Sequence, residues 1–140
     1  AQIPTRLGFA DVKNHLSTEQ LTQYMGSDLF VYHGYVEFFL NGKWVKATPA
    51  FNKALCQHHD VPPLEFDGTE DSIFHAYNNQ KKRFMEYVTY HGTFADIPFD
   101  AIQTAWRQTY GNERVDKWIK MFETGFLGRE KDFYQEDVIR

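Results

Sequence analysis

The stretch that decides the fold runs from Phe30 to Asn52, FVYHGYVEFFLNGKWVKATPAFN. Its dipeptide Asn41-Gly42 separates two runs rich in aromatic and β-branched residues. A two-residue loop between antiparallel strands favours Asn-Gly, because both central positions need positive φ. The reading is a β-hairpin with an incoming strand from Leu29 to Leu40 and an outgoing strand from Lys43 to Thr48. Side chains alternate across a strand, so His33, Tyr35, Glu37 and Phe39 share one face, while Tyr32, Val36 and Phe38 fall less regularly on the other. A histidine early in one hairpin strand and a short polar residue at the end of its partner can lie side by side. A general base and its orienting group need that arrangement.

Upstream of the hairpin, Arg6 to Val12 reads as a strand entered after Pro4. Leu16 to Met25 carries a helix signature, with Ser17 as cap, Gln20 completing a capping box and Gly26 closing the segment. Its apolar content, Leu21 with Tyr24 or Met25, predicts a short peripheral helix. Asp11, Asn14 and His15 read as turn chemistry between strand and helix, with a substrate-facing role as the minority alternative.

Downstream, Asn52 to His58 forms a short helix capped by Asn52. Val61-Pro62-Pro63 breaks any helix before an extended run, Leu64-Glu65-Phe66. Ser72 to Tyr77 is strand-like, Asn78-Asn79-Gln80 is a polar turn, and Phe84, Met85, Tyr87, Val88 and Tyr90 make a further strand, with a helical turn as the alternative. Phe99, Ile102, Trp106 and Tyr110 then recur at helical spacing, with Pro98 suited to the first turn and Gly111 to the stop. Val115, Trp118, Ile119 and Phe122 mark a second helix ended by Gly125. The tail from Arg129 to Arg140 mixes charges with Phe133, Tyr134 and Val138. Runs of strands followed by a run of helices predict an α+β fold. The expected architecture is an antiparallel sheet around the Leu29 to Thr48 hairpin, flanked by Arg6 to Val12 and by strands within Leu64 to Tyr90. Residues 1–140 form a single domain, and 98–125 are its C-terminal helical pair.

The run His33-Gly34-Tyr35-Val36-Glu37, followed by Asn41-Gly42-Lys43-Trp44-Val45-Lys46-Ala47-Thr48-Pro49, resembles the second and third catalytic motifs of the transglutaminase-like superfamily. Its members are papain-like cysteine enzymes with the pattern H-x-[WYF]-x-E, a turn, G-x-W and, after three further residues, D-P. The flanks Leu7 to Leu16 and Leu64 to Pro98 resemble those of bacterial members. The resemblance implies that His33 takes the place of the catalytic His, Trp44 that of a buried Trp, and Thr48 the position where most members carry Asp. Two departures accompany it. The family's nucleophilic Cys opens a helix well upstream of the His strand, whereas the one Cys here is Cys56, downstream of the hairpin. A hydroxyl at Thr48 can accept a hydrogen bond from an imidazole, but it cannot stabilise an imidazolium as a carboxylate does.

The implied protein is the later part of a transglutaminase-like domain, without the nucleophile-bearing helix and inactive as it stands. The full-length enzyme would act on Gln side-chain amides or peptide bonds, by acyl transfer or hydrolysis. The catalytic candidates are His33 and Thr48, with Asp67 or Asp71 as alternatives for the third residue. A noncatalytic module that binds a peptide or protein is the other class of function, and a structural fragment is a third. The implied partners are a protein or peptide substrate, and a second copy or an upstream segment covering the apolar face between Phe30 and Leu40. No cofactor and no metal is called for.

Composition agrees with a folded domain. In 140 residues, 42% hydrophobic and 17% aromatic content is ample for one core and far from a disordered chain. The formal charge of -4 offers no global attraction to nucleic acid or to an anionic membrane. The start AQIPTRLGF lacks the basic and apolar regions of a signal peptide, and no apolar run approaches the roughly 18 residues that span a bilayer. A cytoplasmic location is expected. Cys56, His58, His59 and Asp60 are too crowded for a closed zinc pattern. Asp67-Gly68-Thr69-Glu70-Asp71 reads as a solvated acidic turn, and His75 and His91 read as structural histidines in aromatic surroundings.

Overall fold

The computed structural model describes residues 2–49 and 51–124. Among them are strands β1 (Thr5–Asn14), β2 (Leu29–Leu40), β3 (Lys43–Ala47) and β4 (Met85–Phe94), and helices α1 (Glu19–Met25), α2 (Lys53–His59), α3 (Phe99–Tyr110) and α4 (Asn112–Glu123). The strands make one antiparallel sheet in the order β3-β2-β1-β4. The fold is α+β. Asn41 and Gly42, at φ 49° and 82°, close the β2–β3 hairpin, with Leu40 opposite Lys43.

Several local expectations shift. The outgoing hairpin strand ends at Ala47, one residue before Thr48. Thr18, rather than Ser17, caps α1: its extended backbone lets its hydroxyl accept from the Leu21 N–H. Ser17 instead accepts from the Thr22 hydroxyl, so Gln20 falls one position short of a capping box. Gly26, at φ 71°, closes the helix as expected. Leu64-Glu65-Phe66 joins no sheet, and Pro62 and Pro63 before it supply no N–H to a ladder. Ser72 to Tyr77 is not a strand either; it makes single backbone pairings, Ala47 with Ser72 and Tyr77 with Arg83. The Asn78 side chain takes over there, accepting from the Gln80 and Lys82 N–H groups to form a tight turn. Gly111 separates α3 from α4, and α4 ends at Glu123; Gly125 and the tail lie outside the described residues.

Two apolar layers cover the sheet. On one face Val12, Leu16, Cys56, Val61, Phe84 and Met85 pack with Phe30, Phe51, Phe74 and Tyr87. On the other, Val31, Tyr110, Val115 and Trp118 join the helical pair to β2. β2 contributes to both layers, Phe30 to one and Val31 to the other, and further along it breaks the alternation expected of it. Between the pairs Ala10↔His33 and Val12↔Phe30, β1 has one residue, Asp11, and β2 has two, Val31 and Tyr32. This is a β-bulge, and Tyr32 within it sits at φ 55°, a region a bulky residue occupies only when its surroundings hold it there. α3 meets backbone groups of β2 at and beside the bulge, beyond the end of the β3 pairing at Val36. Tyr110 Oη accepts from Val31 N–H (2.8 Å) and donates to Leu29 C=O (2.7 Å), and Trp106 Nε1–H donates to Val31 C=O (3.0 Å).

β4 is irregular as well. Its pairing with β1 shifts between Phe9 and Ala10 and again between Asp11 and Val12, leaving His91 and Val88 as extra residues. Bulges of this kind twist an edge strand away from further pairing. Among the described residues no helix is long and apolar enough to cross a membrane.

Candidate functional site

His33 lies immediately after the bulge in β2, and Thr48 lies immediately after β3. Thr48 is fixed by its backbone, since its N–H donates to Ser72 C=O (2.9 Å) and the Ser72 N–H donates to Lys46 C=O (2.8 Å). Its side chain is buried, and its Oγ1 is hydrogen-bonded to His33 Nε2 at 2.8 Å. The Phe74 ring lies against the imidazole, centroid to centroid 5.0 Å. Burial lowers the His33 pKa from its ordinary value, so the ring is neutral at neutral pH. A neutral imidazole donates from one nitrogen and accepts at the other. When Nε2–H donates to Thr48, Nδ1 is left as the basic atom.

Tyr87 extends this network, and nothing in the sequence pattern singles it out. Its hydroxyl accepts from the Phe74 N–H at 3.3 Å. Burial raises its pKa, while hydrogen bonds from that N–H and from the Thr48 side chain act in the opposite direction. Tyr87 is a β4 residue meeting a loop residue, a juxtaposition set by strand order alone.

Beside His33 opens a groove of about 350 Å³, lined by Leu21, Phe30, Phe51, Leu55, Phe74, Phe84 and Met85 together with Asn14, Thr18 and His59. Its size falls within the range of small-ligand pockets. The lining is largely apolar, and within it His33 combines a basic ring nitrogen with a positioned polar partner, Thr48.

The other candidates lie elsewhere. Cys56 is buried in α2, its Sγ directed to Phe51 C=O at 3.6 Å, and burial pushes its thiol up. It is a core residue without the cationic neighbour that makes a thiolate. Asp67 accepts from the Thr69 hydroxyl and N–H, and these bonds hold its carboxyl below the usual range. Asp71 accepts from Lys46 N–H (2.8 Å) and from its ammonium (3.5 Å). Both carboxylates tie down the loop beside β3, and the hydrogen-bond partner of His33 is Thr48. Asp60 ends α2 at φ 56° and accepts from the Asn79 and Gln80 side chains, which makes it a loop clasp. Among the described residues no three His, Cys, Asp or Glu side chains gather as a metal site would require.

Trp44, expected to be buried, is 38% exposed and lies at the hairpin surface with the Arg6 guanidinium 4.0 Å from its ring centroid. Glu37, two residues from Tyr35, is buried and bonded to Arg6 Nε. Of the residues read as turn chemistry, Asn14 fits, accepting from Leu16 N–H, and His15 pairs with Glu86 at 2.7 Å. Asp11 does not fit: it lies in the middle of the sheet, where its Oδ1 accepts from Tyr32 N–H (2.9 Å) and from His91 Nε2 (2.7 Å). Comparison with known proteins finds no matching family model, curated protein or solved structure.

Proposed function

We propose that the chain is the histidine-bearing part of a transglutaminase-like cysteine enzyme. The observation that carries this reading is the hydrogen bond between His33 Nε2 and Thr48 Oγ1 at the wall of an apolar groove. It joins the two residues singled out by the hairpin motif. Burial keeps the imidazole neutral, as a general base must be before it takes a proton. Cys56 is spoken for by the core, so the thiol comes from a segment outside these 140 residues, seated in the groove.

In this mechanism His33 Nδ1 takes the thiol proton, and the thiolate attacks the carbonyl carbon of a Gln side-chain amide or peptide bond. The imidazolium gives its proton to the nitrogen as the C–N bond breaks, leaving a thioester and releasing ammonia or an amine. A second amine, or water, then attacks the thioester with His33 again as base, and the C–S bond breaks to return the thiol, reprotonated from the imidazolium. Thr48 orients the ring throughout. The test is amine incorporation into a Gln-bearing protein, together with ammonia release, by the product of the full reading frame. Loss of both on His33→Gln and on alkylation of a Cys other than Cys56 supports the reading. Incorporation by the 140-residue chain alone, abolished by Cys56→Ser, would refute it.

Thr48 itself favours a second reading. A hydroxyl offers no charge to balance an imidazolium, so a noncatalytic module that uses the groove to hold a peptide or protein follows if the full-length product binds such a partner without turnover.

A further inference from the structure

In a regular strand, residues three apart point to opposite faces. Phe30 and His33 nevertheless line the same groove. They do so because the bulge places two residues, Val31 and Tyr32, opposite the single Asp11. A one-residue slip in pairing turns every side chain beyond it to the other face. Without the bulge, either His33 or the Phe30 end of the strand would leave the groove.

The bulge requires Tyr32 at φ 55°, a conformation that a large side chain disfavours. Two contacts compensate. Asp11 Oδ1 accepts the Tyr32 N–H at 2.9 Å. The same oxygen accepts from His91 Nε2 at 2.7 Å, and the His91 ring lies flat on the Tyr32 ring, with centroids 4.0 Å apart and planes 8° from parallel. Three adjacent strands thus contribute to one clasp: Tyr32 from the bulge in β2, Asp11 opposite it in β1 and His91, an extra residue, from β4. The clasp is on the face opposite the groove, one residue from His33 along the chain.

We infer that Asp11 is a positioning residue for His33, acting through the bulge at Val31 and Tyr32 that turns the imidazole into the groove. Its catalytic meaning rests on the reading of His33 as a general base; its effect on where His33 lies does not. His91 has the supporting role, orienting the carboxylate and covering Tyr32. The same geometry makes two substitutions mild. Asn at position 11 keeps an oxygen acceptor for the Tyr32 N–H, and Gly at position 32 adopts positive φ without help.

The test reads the ring nitrogens of His33 by long-range proton–nitrogen NMR in the 140-residue chain, with the resonances assigned by their loss in His33→Gln. The unsubstituted chain should show one neutral tautomer and a titration midpoint below that of a solvated histidine. Asp11→Ala should give the averaged tautomer signal of a free imidazole and a midpoint shifted upward. Asp11→Asn should retain the original signature, and Asp11→Ala with Tyr32→Gly should recover it. A folded Asp11→Ala chain with unchanged His33 signals overturns the inference. If Asp11→Ala does not fold, the double substitution decides. Recovery of fold and signature supports the inference, whereas an unfolded double variant, or a folded one with His33 displaced, overturns it. These signals require no turnover, so a failed acyl-transfer assay beside the expected shifts refutes the enzyme reading alone.

Discussion

Replacing Tyr110 by Phe removes one oxygen atom and leaves the shape of the α3–sheet interface unchanged. That oxygen accepts from Val31 N–H and donates to Leu29 C=O, at 2.8 and 2.7 Å, and the side chain is 5% exposed. Burial raises the phenol's pKa, so it remains a donor throughout the neutral range. Its loss leaves one backbone donor and one backbone acceptor without a partner under a layer that includes Val115 and Trp118. A buried polar group left unsatisfied costs about 1–3 kcal/mol. With partial relief from backbone adjustment, the two together should cost about 2–4 kcal/mol. For a domain of this size that lowers Tm by roughly 10 °C, at about 4 °C per kcal/mol. Urea unfolding followed by tryptophan fluorescence reads the change directly, because Trp118 lies 5.3 Å from the Tyr110 ring, centroid to centroid. The midpoint should fall with an unchanged m value. A loss below about 0.5 kcal/mol would refute the claim that Tyr110 satisfies the Val31 and Leu29 peptide groups.

Gly8→Ala should destabilise by about 1–3 kcal/mol, since a Cβ there would stand 2.2 Å from atoms of the buried Tyr35 ring; thermal unfolding of the variant measures it, and a neutral result would mean that the ring is free to move. Stability should also depend on pH through His33. Because its pKa is lowered in the folded chain, the unfolded chain binds more protons, and stability falls as pH drops from about 6.5 toward the folded value. The same titration on His33→Gln should lack that component, and an identical profile would count against a buried neutral ring. At the alkaline end, burial and then the Glu37 carboxylate push the Tyr35 phenol up to about 12. Its protonated form is favoured by folding, so stability should decline as pH climbs from about 10 toward 12, with Tyr35→Phe removing that part of the loss.

The hairpin is legible in the sequence because Asn41-Gly42 requires a local backbone geometry that few other dipeptides satisfy. The helix ends at Gly26 and Gly111 and the Asn52 cap are legible for the same reason, each a short-range contest between a side chain and its own backbone. The bulge is not legible. Nothing in FVYHGYV marks Tyr32 for positive φ, because the reasons for it, Asp11, His91, Trp106 and Tyr110, come from three distant segments. The Ser72 to Tyr77 run shows the converse. Its alternation suits a strand, yet it meets the β3 edge only at Ser72, and Asn78 draws the backbone into a turn. For the site, His33 and Thr48 could be paired from the hairpin alone. Tyr87 and Asp11 could not, since their roles depend on β4 lying beside β1.

That strand order also sets the sequence in which the sheet can assemble. The β2–β3 hairpin closes through two residues and can form on the microsecond scale. The β1–β4 ladder, from Asn14↔Met85 to Leu7↔Phe94, must first restrict most of the intervening chain, so its closure is entropically late. The clasp at Asp11 needs both ladders. His33 therefore reaches its final orientation near the end of folding, and substitutions in β4 such as His91→Ala should speed unfolding far more than they slow refolding.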